Sequence, residues 1–414
     1  MTWQPINVPQ RTIMTPGPVE ADPRVLRALA TPIVGQFDPS FTHIMNEVME
    51  MLRALFQTKN QWAFPINGTS RAGNEAVLAS LIEPGDKVLV PIYGRFGHLL
   101  VEIAQRYGAE VIELHCEWGE VFEPQLVIDA IQLHEPKIVA CVHGETSTGR
   151  MQPLQEIGMY CREKGVFFVV DAVASIGGVD VRVDEWCIDA CIGGTQKCLS
   201  VPAGMAPITF NERVAEVITA RKKVEQGIAT ADDLCDVTTF TPIATNYFDL
   251  AMLMDYWSPR RLNHHTESTS MLYALREGVR LALEETLPVR FARHAYHAQA
   301  LQQGLRAMGL ELFGEETHAL TCVTCIQIPE GVNGDRVRQF LLTHFGVEIA
   351  SSFGPLHGKI WRIGTMGYSC RKENVLAVLS ALEATLIQHN VRVVRGEAIQ
   401  ATLAFYMATE YATQ

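Results

Sequence analysis

The stretch KVLVPIYGRFGHLLVEIAQRYGAEVIEL, residues 87–114, decides the fold class of this chain. Its two ends, KVLVPI and AEVIEL, are short apolar runs, and the segment GHLLVEIAQRYG between them has the spacing of an amphipathic helix. Two buried strands joined by a helix are typical of a parallel sheet, because the crossover places the helix against the face of the sheet.

The same alternation continues along the chain. Further apolar runs are KIVACVH, VFFVVDA and MAPITF, and the helical pattern PLQEIGMYCREKG separates the first two. After Thr266 a long helical stretch leads to shorter strands at LTCVTCIQI and KIWRIG, with helices DRVRQFLLTHFG and KENVLAVLSALEATLIQH. We therefore predict an α/β protein with an N-terminal arm over residues 1–21, a large domain over 22–284 and a smaller C-terminal α/β domain over 285–414.

Composition argues against several classes of partner. The formal net charge of the 414 residues is −12, and no run of Lys and Arg supplies the basic face that nucleic acid requires. Residues 1–11 lack the basic start and apolar stretch of a signal peptide, and no apolar window approaches the roughly 20 residues that span a bilayer. We expect a cytoplasmic protein that binds small molecules, with no nucleic-acid partner and no membrane contact.

The ten cysteines are scattered, which favours buried free thiols in a reducing compartment. The only C-x-x-C joins Cys322 to Cys325 in the apolar run LTCVTCIQI. If this run is a strand, residues three apart point to opposite faces, so these two thiols cannot close together on a metal ion. We expect no metal site.

Polar or aromatic residues follow several apolar runs, at the edge of the sheet where ligands bind in open α/β folds. Taken singly, an Asp at such a place is as often a turn residue, and a Tyr there more often packs than stacks. Lys197 is distinctive because it stands in GGTQKCLSVPAG, a segment whose other residues are small or uncharged. The residues at these strand ends are Tyr93, Thr146, Ser147, Asp171 and Lys197.

Another segment with candidate binding residues is FPINGTSRAGNEAVLASL, in which residues 67–70 precede a helical run. Free amides at a helix start, together with the hydroxyls of Thr69 and Ser70, form an anion site, and Arg71 adds a charge suited to phosphate. The alternative is that these residues simply cap the helix. A lysine able to form a Schiff base, a strand-end carboxylate, an aromatic face and a phosphate cradle match the needs of pyridoxal phosphate.

The segment SIGGVDVRVDEWCIDACIGGTQKCLSVPAG resembles the lysine-bearing segment of the class V, fold type I aminotransferases. The resemblance covers nearly the whole chain, through TPGPVEADP, NGTSRAGNEA, HGETSTG, VVDAVASIGG, NHHTESTSMLYALREG and KIWRIGTMG in the family's order. It implies the fold type I architecture, pyridoxal 5'-phosphate as the cofactor, and a homodimer with shared active sites.

The resemblance also implies a role for each matching residue. Lys197 would bind the cofactor's aldehyde, Asp171 would pair with the pyridine nitrogen, and Tyr93 would stack on the ring. Thr266 would reach the phosphate in the partner subunit, and Arg362 would grip the substrate carboxylate. The phosphate and the oxygen side of the ring would be held by Thr69, Ser70, Arg71, Thr146 and Gln196.

Two positions differ from the pattern of the alanine-using relatives. Gln36 stands where many relatives have His or Ser, and Asn263 stands where alanine-using relatives often have Tyr. Each amide offers a donor and an acceptor, which complements a neutral ureido group, whereas alanine offers nothing for either. The pair resembles the ureidoglycine branch of the family, the enzymes of purine breakdown. The alternative is that both amides cap local backbone.

These observations predict a pyridoxal-phosphate aminotransferase that moves the amino group of (S)-ureidoglycine to glyoxylate, giving oxalurate and glycine. Alanine–glyoxylate or serine–glyoxylate transfer would use the same chemistry with another donor. Cysteine desulfuration, also a class V activity, needs a nucleophilic cysteine on a mobile loop, and the apolar run of Cys322 and Cys325 suits this poorly. A vitamin B6-binding module without activity would need an effector domain, and the predicted domains already account for the whole chain.

Overall fold

The computed structural model describes residues 3–229 and 241–412. Its strands are β1 (Thr12–Ile13), β2 (Trp62–Asn67), β3 (Lys87–Ile92), β4 (Glu110–His115), β5 (Ile138–Val142), β6 (Gly144–Glu145), β7 (Arg150–Met151), β8 (Phe167–Asp171), β9 (Ala190–Ile192), β10 (Met205–Phe210), β11 (Val323–Gln327), β12 (Val347–Glu348), β13 (Ala350–Ser351) and β14 (Ile360–Gly364). Its helices are α1 (Pro23–Leu29), α2 (Pro39–Leu55), α3 (Ser70–Leu81), α4 (Arg95–Arg106), α5 (Pro124–His134), α6 (Gln155–Lys164), α7 (Glu212–Ala220), α8 (Leu250–Trp257), α9 (Thr269–Glu285), α10 (Leu287–Ala307), α11 (Gly334–Phe340), α12 (Lys372–Gln388) and α13 (Glu397–Ala412).

The large sheet has seven strands in the order β2-β10-β9-β8-β5-β3-β4. From β4 to β9 neighbouring strands run parallel, and β10 lies antiparallel to both β9 and β2. The central strands are buried along nearly their whole length, which explains why their sequences are apolar rather than alternating. The predicted α/β class with a mostly parallel sheet is therefore confirmed.

A second hydrophobic cluster surrounds the antiparallel sheet β11-β14-β13, where α10, α11 and α12 pack around Trp361 and Ile326. The predicted long helical stretch after Thr266 is in fact two helices, α9 and α10. They meet at Thr286, which has a left-handed φ of 67°. Pro288 stands in the first turn of α10, where its missing N–H costs nothing, so it begins a helix rather than continuing one. This break lies beside the expected domain boundary, while the exact domain limits stay a prediction.

The N-terminal arm packs against the small C-terminal sheet rather than hanging free. Its strand β1 pairs in parallel with β12, and Met14 is fully buried in the second cluster. The N–H of Gly364 donates to the Met14 carbonyl at 2.8 Å. The arm therefore extends the core of the small domain before it runs on toward the large one.

The last helix, α13, packs along α10 and buries Ala398, Thr402 and Tyr406. Whether this segment docks or frays could not be predicted from its mixed composition. Among the described residues, no helix combines the length and apolar character that crossing a bilayer requires.

The contact between the arm and β14 depends on the absence of a side chain at Gly364. A Cβ added there would lie 2.1 Å from the Thr15 carbonyl oxygen, so Gly364→Ala must push the arm away. We expect this variant to lose about 1–3 kcal/mol of unfolding free energy, the usual cost of overpacking, in urea titrations. Gly35→Ala is the matched control, because a Cβ at Gly35 meets no atom within 4 Å. Equal stability of the two variants would contradict this packing.

Candidate active site

A cavity of about 240 Å³ opens at the carboxyl ends of β5 and β8, beside the N-terminus of α3. It brings together every predicted cofactor residue except Tyr93 and Thr266. Parallel strands end at this edge and α3 begins there, so polar side chains from separate segments meet in one place. The lining residues are Thr69, Ser70, Arg71, Asn74, Phe96, Leu99, Val142, Gly144, Thr146, Asp171, Val173, Ala174, Gln196 and Lys197.

Lys197 is only 8% exposed, and the arm passes directly over it. Its Nζ donates a hydrogen bond to the Pro16 carbonyl. Gly17, with φ of 108°, makes this approach possible, because a Cβ there would lie 2.5 Å from Nζ. Burial, and then the positive charge of Arg362, lower the pKa of Lys197 to about 8. The amine is therefore deprotonated far more readily than a surface lysine.

Asp171 ends β8, and its side chain is almost completely buried. One carboxylate oxygen accepts the side-chain amide of Asn74 at 2.8 Å, and the other accepts the Val173 N–H at 3.0 Å. Burial raises the pKa of Asp171, and these two hydrogen bonds oppose that shift. Asn74 was not predicted from the sequence, although it follows Ser70 by four residues and so shares a helix face with it.

The start of α3 provides the predicted anion site. Thr69 is the N-cap residue of this helix, but its side chain makes no capping hydrogen bond. The capping alternative therefore does not describe Thr69, and its hydroxyl remains available beside the first amides of the helix. Ser70 and Gln196 are hydrogen-bonded to each other at 3.1–3.2 Å, which joins the helix start to the segment that carries Lys197. Arg71, which is exposed, lines the same cavity.

Tyr93 does not face the cavity, contrary to the sequence-based expectation. Its ring is 1% exposed inside the large core, and its hydroxyl donates to the carbonyls of Val142 and His143 at 2.9 Å. The aromatic residue that lines the cavity is Phe96, in the first turn of α4. Phe96 was missed because it comes one helical turn after the strand end, although YGRFG places it near the same edge.

Arg362 lies on β14, is 4% exposed and is pinned by backbone carbonyls. Its Nε donates to the Ser351 carbonyl at 2.7 Å and its Nη1 to the Thr146 carbonyl at 2.8 Å. The guanidinium also stacks over the Phe353 ring, 4.7 Å from its centroid. Burial lowers the pKa of Arg362 to about 10, and within the described residues no carboxylate forms an ion pair with it. A buried guanidinium fixed in this way is suited to a ligand carboxylate.

Gln36 and Asn263 lie together but outside the cavity that holds Lys197 in the same chain. The Gln36 amide donates to the Asn263 side-chain oxygen at 3.3 Å, and the Gln36 oxygen accepts the Glu267 N–H at 3.3 Å. Gln36 thus partly follows the alternative of capping local backbone. Thr266 is exposed in the same patch and does not line the cavity either.

The described cysteines are free thiols, and most are buried; Cys235 lies outside the described residues. Cys322 and Cys325 are 0% and 4% exposed, which does not suit the mobile nucleophile of a desulfurase. Cys322 instead lies with its sulfur 3.4 Å from that of Cys198, and His294 completes a group with metal-ligand spacing. Both ring nitrogens of His294 already contact backbone, at the Arg290 carbonyl and the Gly367 N–H. The sequence offered no sign of this group.

A larger cavity of about 540 Å³ lies between α1, α9, α10 and the start of α12. Its arginines are bound in ion pairs: Arg290 and Arg293 both contact Glu285, and Arg371 contacts Glu20. These ion pairs hold neighbouring segments of the chain together and leave none of the three arginines without an acidic partner. The cavity at Lys197 is therefore the candidate active site.

The residues of the smaller cavity fit pyridoxal phosphate. The Oδ1 atom of Asn74 is buried without a hydrogen-bond partner in the described structure, and the Asp171 carboxylate has no basic side chain within 4.0 Å there. A protonated pyridine nitrogen would supply the charge that Asp171 lacks. The uncapped start of α3 suits the phosphate, and Lys197 suits the aldehyde.

Comparisons with known proteins identify the family of the chain. The family model for class V aminotransferases matches residues 26–361. An (S)-ureidoglycine–glyoxylate transaminase of Bacillus subtilis is 68% identical over 398 residues, 96% of each chain. The crystal structure of ureidoglycine–glyoxylate aminotransferase from Bacillus subtilis has 64% sequence identity and a TM-score of 0.92, over 98% of this chain and 100% of its own. An alanine–glyoxylate aminotransferase structure from Nostoc sp. has 38% identity and a TM-score of 0.87, over 93% and 98%. The chain belongs to the class V aminotransferases, pyridoxal-phosphate enzymes of fold type I.

Proposed function

We propose that this aminotransferase moves the amino group of (S)-ureidoglycine to glyoxylate and forms oxalurate and glycine in purine catabolism. One observation carries the proposal: the Bacillus subtilis relative that matches nearly the whole chain is named for this reaction. The contact between the amides of Gln36 and Asn263 supports the same donor, because a ureido group can pair with both.

The residues of the cavity divide the work between them. When bound, pyridoxal phosphate supplies an aldehyde that takes up the amino group and a ring that withdraws electrons from the substrate's α-carbon. Asp171 would keep the proton on the ring nitrogen, and Phe96 would cover the ring face. Lys197 would hold the aldehyde until the donor's amine displaces it, and its freed amine would then be the base that takes the proton from the donor's α-carbon and the acid that returns it at the cofactor's aldehyde carbon. Thr69, Ser70, Arg71 and Gln196 would hold the phosphate, and Thr146 would lie on the oxygen side of the ring.

The substrate is held by its two ends. Arg362 grips the carboxylate that donor and acceptor share, and its fixed guanidinium matches that group in a planar, two-pronged contact. Gln36 and Asn263 contact the ureido end of the donor. Glyoxylate has no such end, so the amides distinguish donors and leave the acceptor unaffected.

The enzyme acts as a homodimer in which Thr266, Gln36 and Asn263 of one subunit complete the site of the other. Three observations support this arrangement: none of these three residues lines the cavity of its own chain, Thr266 is exposed, and nearby Ile33 and Phe37 are 70% and 80% exposed. Exposed apolar side chains of this size favour coverage by a partner subunit.

The cytoplasm is the compartment we assign. Buried free thiols persist where the surroundings are reducing, and the described cysteines are free.

The lowered pKa of Lys197 predicts a pH dependence for cofactor capture. Only the neutral amine attacks an aldehyde, so covalent capture of pyridoxal phosphate by the apoenzyme should accelerate as pH rises and level off above about pH 8. Stopped-flow absorbance across pH 6 to 10 measures this rate, with Lys197→Ala as the blank. A rate that still climbs steeply above pH 9, as for an ordinary lysine of pKa about 10.4, would contradict the buried amine.

Exchange of the two amides should change the preference for the donor. In the double variant Gln36→His with Asn263→Tyr, we expect kcat/KM for ureidoglycine relative to alanine to fall about 100-fold, because each lost polar pair costs about 1–3 kcal/mol. The glyoxylate half-reaction, measured in the same preparation, should hardly change. A ratio that does not move, or a wild-type enzyme that prefers alanine, would refute the ureidoglycine assignment and favour alanine–glyoxylate transfer.

A mixing experiment tests the shared site. Thr266→Glu should repel the phosphate, and Lys197→Ala should abolish turnover, so each variant alone is inactive. Heterodimers of the two contain one undamaged site if Thr266 reaches the partner's cavity, so co-expression should restore about half of the wild-type activity per heterodimer. If Thr266 serves its own chain, both sites stay damaged and no activity returns.

A further inference from the structure

Glu145 is a fully buried carboxylate without a basic partner in the described part of the chain. Its Oε2 accepts the N–H of Phe96 at 2.8 Å. Its Oε1 accepts the N–H and the hydroxyl of Ser147 at 2.9 and 2.7 Å. Burial raises the pKa of Glu145, and the hydrogen bonds from Ser147 and Phe96 oppose that rise. A carboxyl group held out of water with no cation beside it is a costly feature, which calls for a reason.

The reason lies at the start of α4. The N-cap position of this helix is Gly94, which has no side chain to cap the first amides. Glu145, at the end of β6, and Ser147, in the turn between β6 and β7, cap them instead, because the Arg95 N–H donates to the Ser147 hydroxyl at 3.0 Å and the Phe96 N–H donates to Glu145. A Cβ at Gly94 would lie 2.3 Å from the Glu145 Cγ, so glycine is required by space.

The segment that provides these caps, residues 145–147, also contacts the rest of the site. Thr146, between the two capping residues, lines the cavity, and its carbonyl accepts Nη1 of Arg362 at 2.8 Å. The carbonyl of Ser147 accepts the Ser352 hydroxyl at 2.6 Å. Phe96, Thr146 and Arg362 are thus held in a fixed relation by one short segment.

We propose that Glu145 is a positioning residue: it caps α4 from the end of β6 and so sets the ring of Phe96 over the cofactor. The inference rests on the cofactor role proposed above for Phe96. A carboxylate suits this place because three donors converge on two oxygens. Glutamine has one acceptor oxygen, so its amide hydrogens would oppose one of the N–H groups.

The test compares Glu145→Gln with Asp249→Asn in the holoenzyme. Asp249 is a matched control because it is 3% exposed and caps α8, away from the cavity. We expect Glu145→Gln to weaken the equilibrium affinity for pyridoxal phosphate at least tenfold, a factor that corresponds to about 1.4 kcal/mol, and to change the visible circular dichroism of the bound cofactor. Asp249→Asn should change neither.

A double-mutant cycle separates positioning from general destabilisation. Phe96→Leu removes the ring, so adding Glu145→Gln to it should cause no further loss of cofactor affinity. If Glu145→Gln does not fold, Ser147→Ala replaces it in the cycle, since it removes one cap and one donor to Glu145. We expect it to weaken cofactor affinity less than Glu145→Gln and in the same Phe96-dependent way.

Two outcomes would overturn the proposal. One is a Glu145→Gln holoenzyme with a lower Tm but wild-type cofactor affinity and dichroism. The other is a cycle in which the losses simply add. Both readouts use pyridoxal phosphate without any amino donor. A wild-type enzyme that binds the cofactor but fails with ureidoglycine would refute the proposed function and leave the role of Glu145 standing.

Discussion

An amine held out of water is the constraint on which this structure depends. Lys197 is nearly buried, its nitrogen contacts the Pro16 carbonyl, and no carboxylate pairs with it in residues 3–229 and 241–412. Burial without a counter-ion favours the neutral form, which is also the nucleophilic form. The segment around this lysine, GGTQKCLSVPAG, is accordingly small and otherwise uncharged, and the residue that passes over it at position 17 is a glycine. Stability and reactivity thus make the same demand on the neighbours of this lysine.

The parts of the site that sequence predicts well are those governed by the sheet. Apolar runs predict the strands, and the parallel arrangement brings the carboxyl ends of the strands together. Asp171, Thr146 and Lys197 could therefore be placed at one edge of the sheet from the sequence alone. The prediction that Tyr93 faces the cavity was wrong because the direction of a side chain at a strand end depends on the turn that follows it. That turn, at Gly94, is shaped by the side chain of Glu145, a neighbour in space that periodicity does not reveal.

Contacts between distant segments lay beyond such reasoning. Asn74 and Asp171 are 97 residues apart, and Cys198 and Cys322 are 124 apart, yet each pair is in direct contact. Gln36 and Asn263, separated by 227 residues, were singled out by the resemblance to a family and not by any spacing. The structure adds that they are in contact within one chain and are not part of the lining of the cavity that holds Lys197. Side-chain packing of this kind follows from the assembled fold and not from local pattern.

The N-terminal arm, which covers Lys197, is held in place by residues from the far end of the chain. The Glu20 N–H donates to the Ser369 hydroxyl, a partner 349 residues further along the chain, and Met14 enters a core completed by α12. The cover over Lys197 therefore cannot settle until most of the polypeptide has left the ribosome. During synthesis, α3, β5 and β8 of the cavity are made well before α12, so the contacts that hold the arm in place form late.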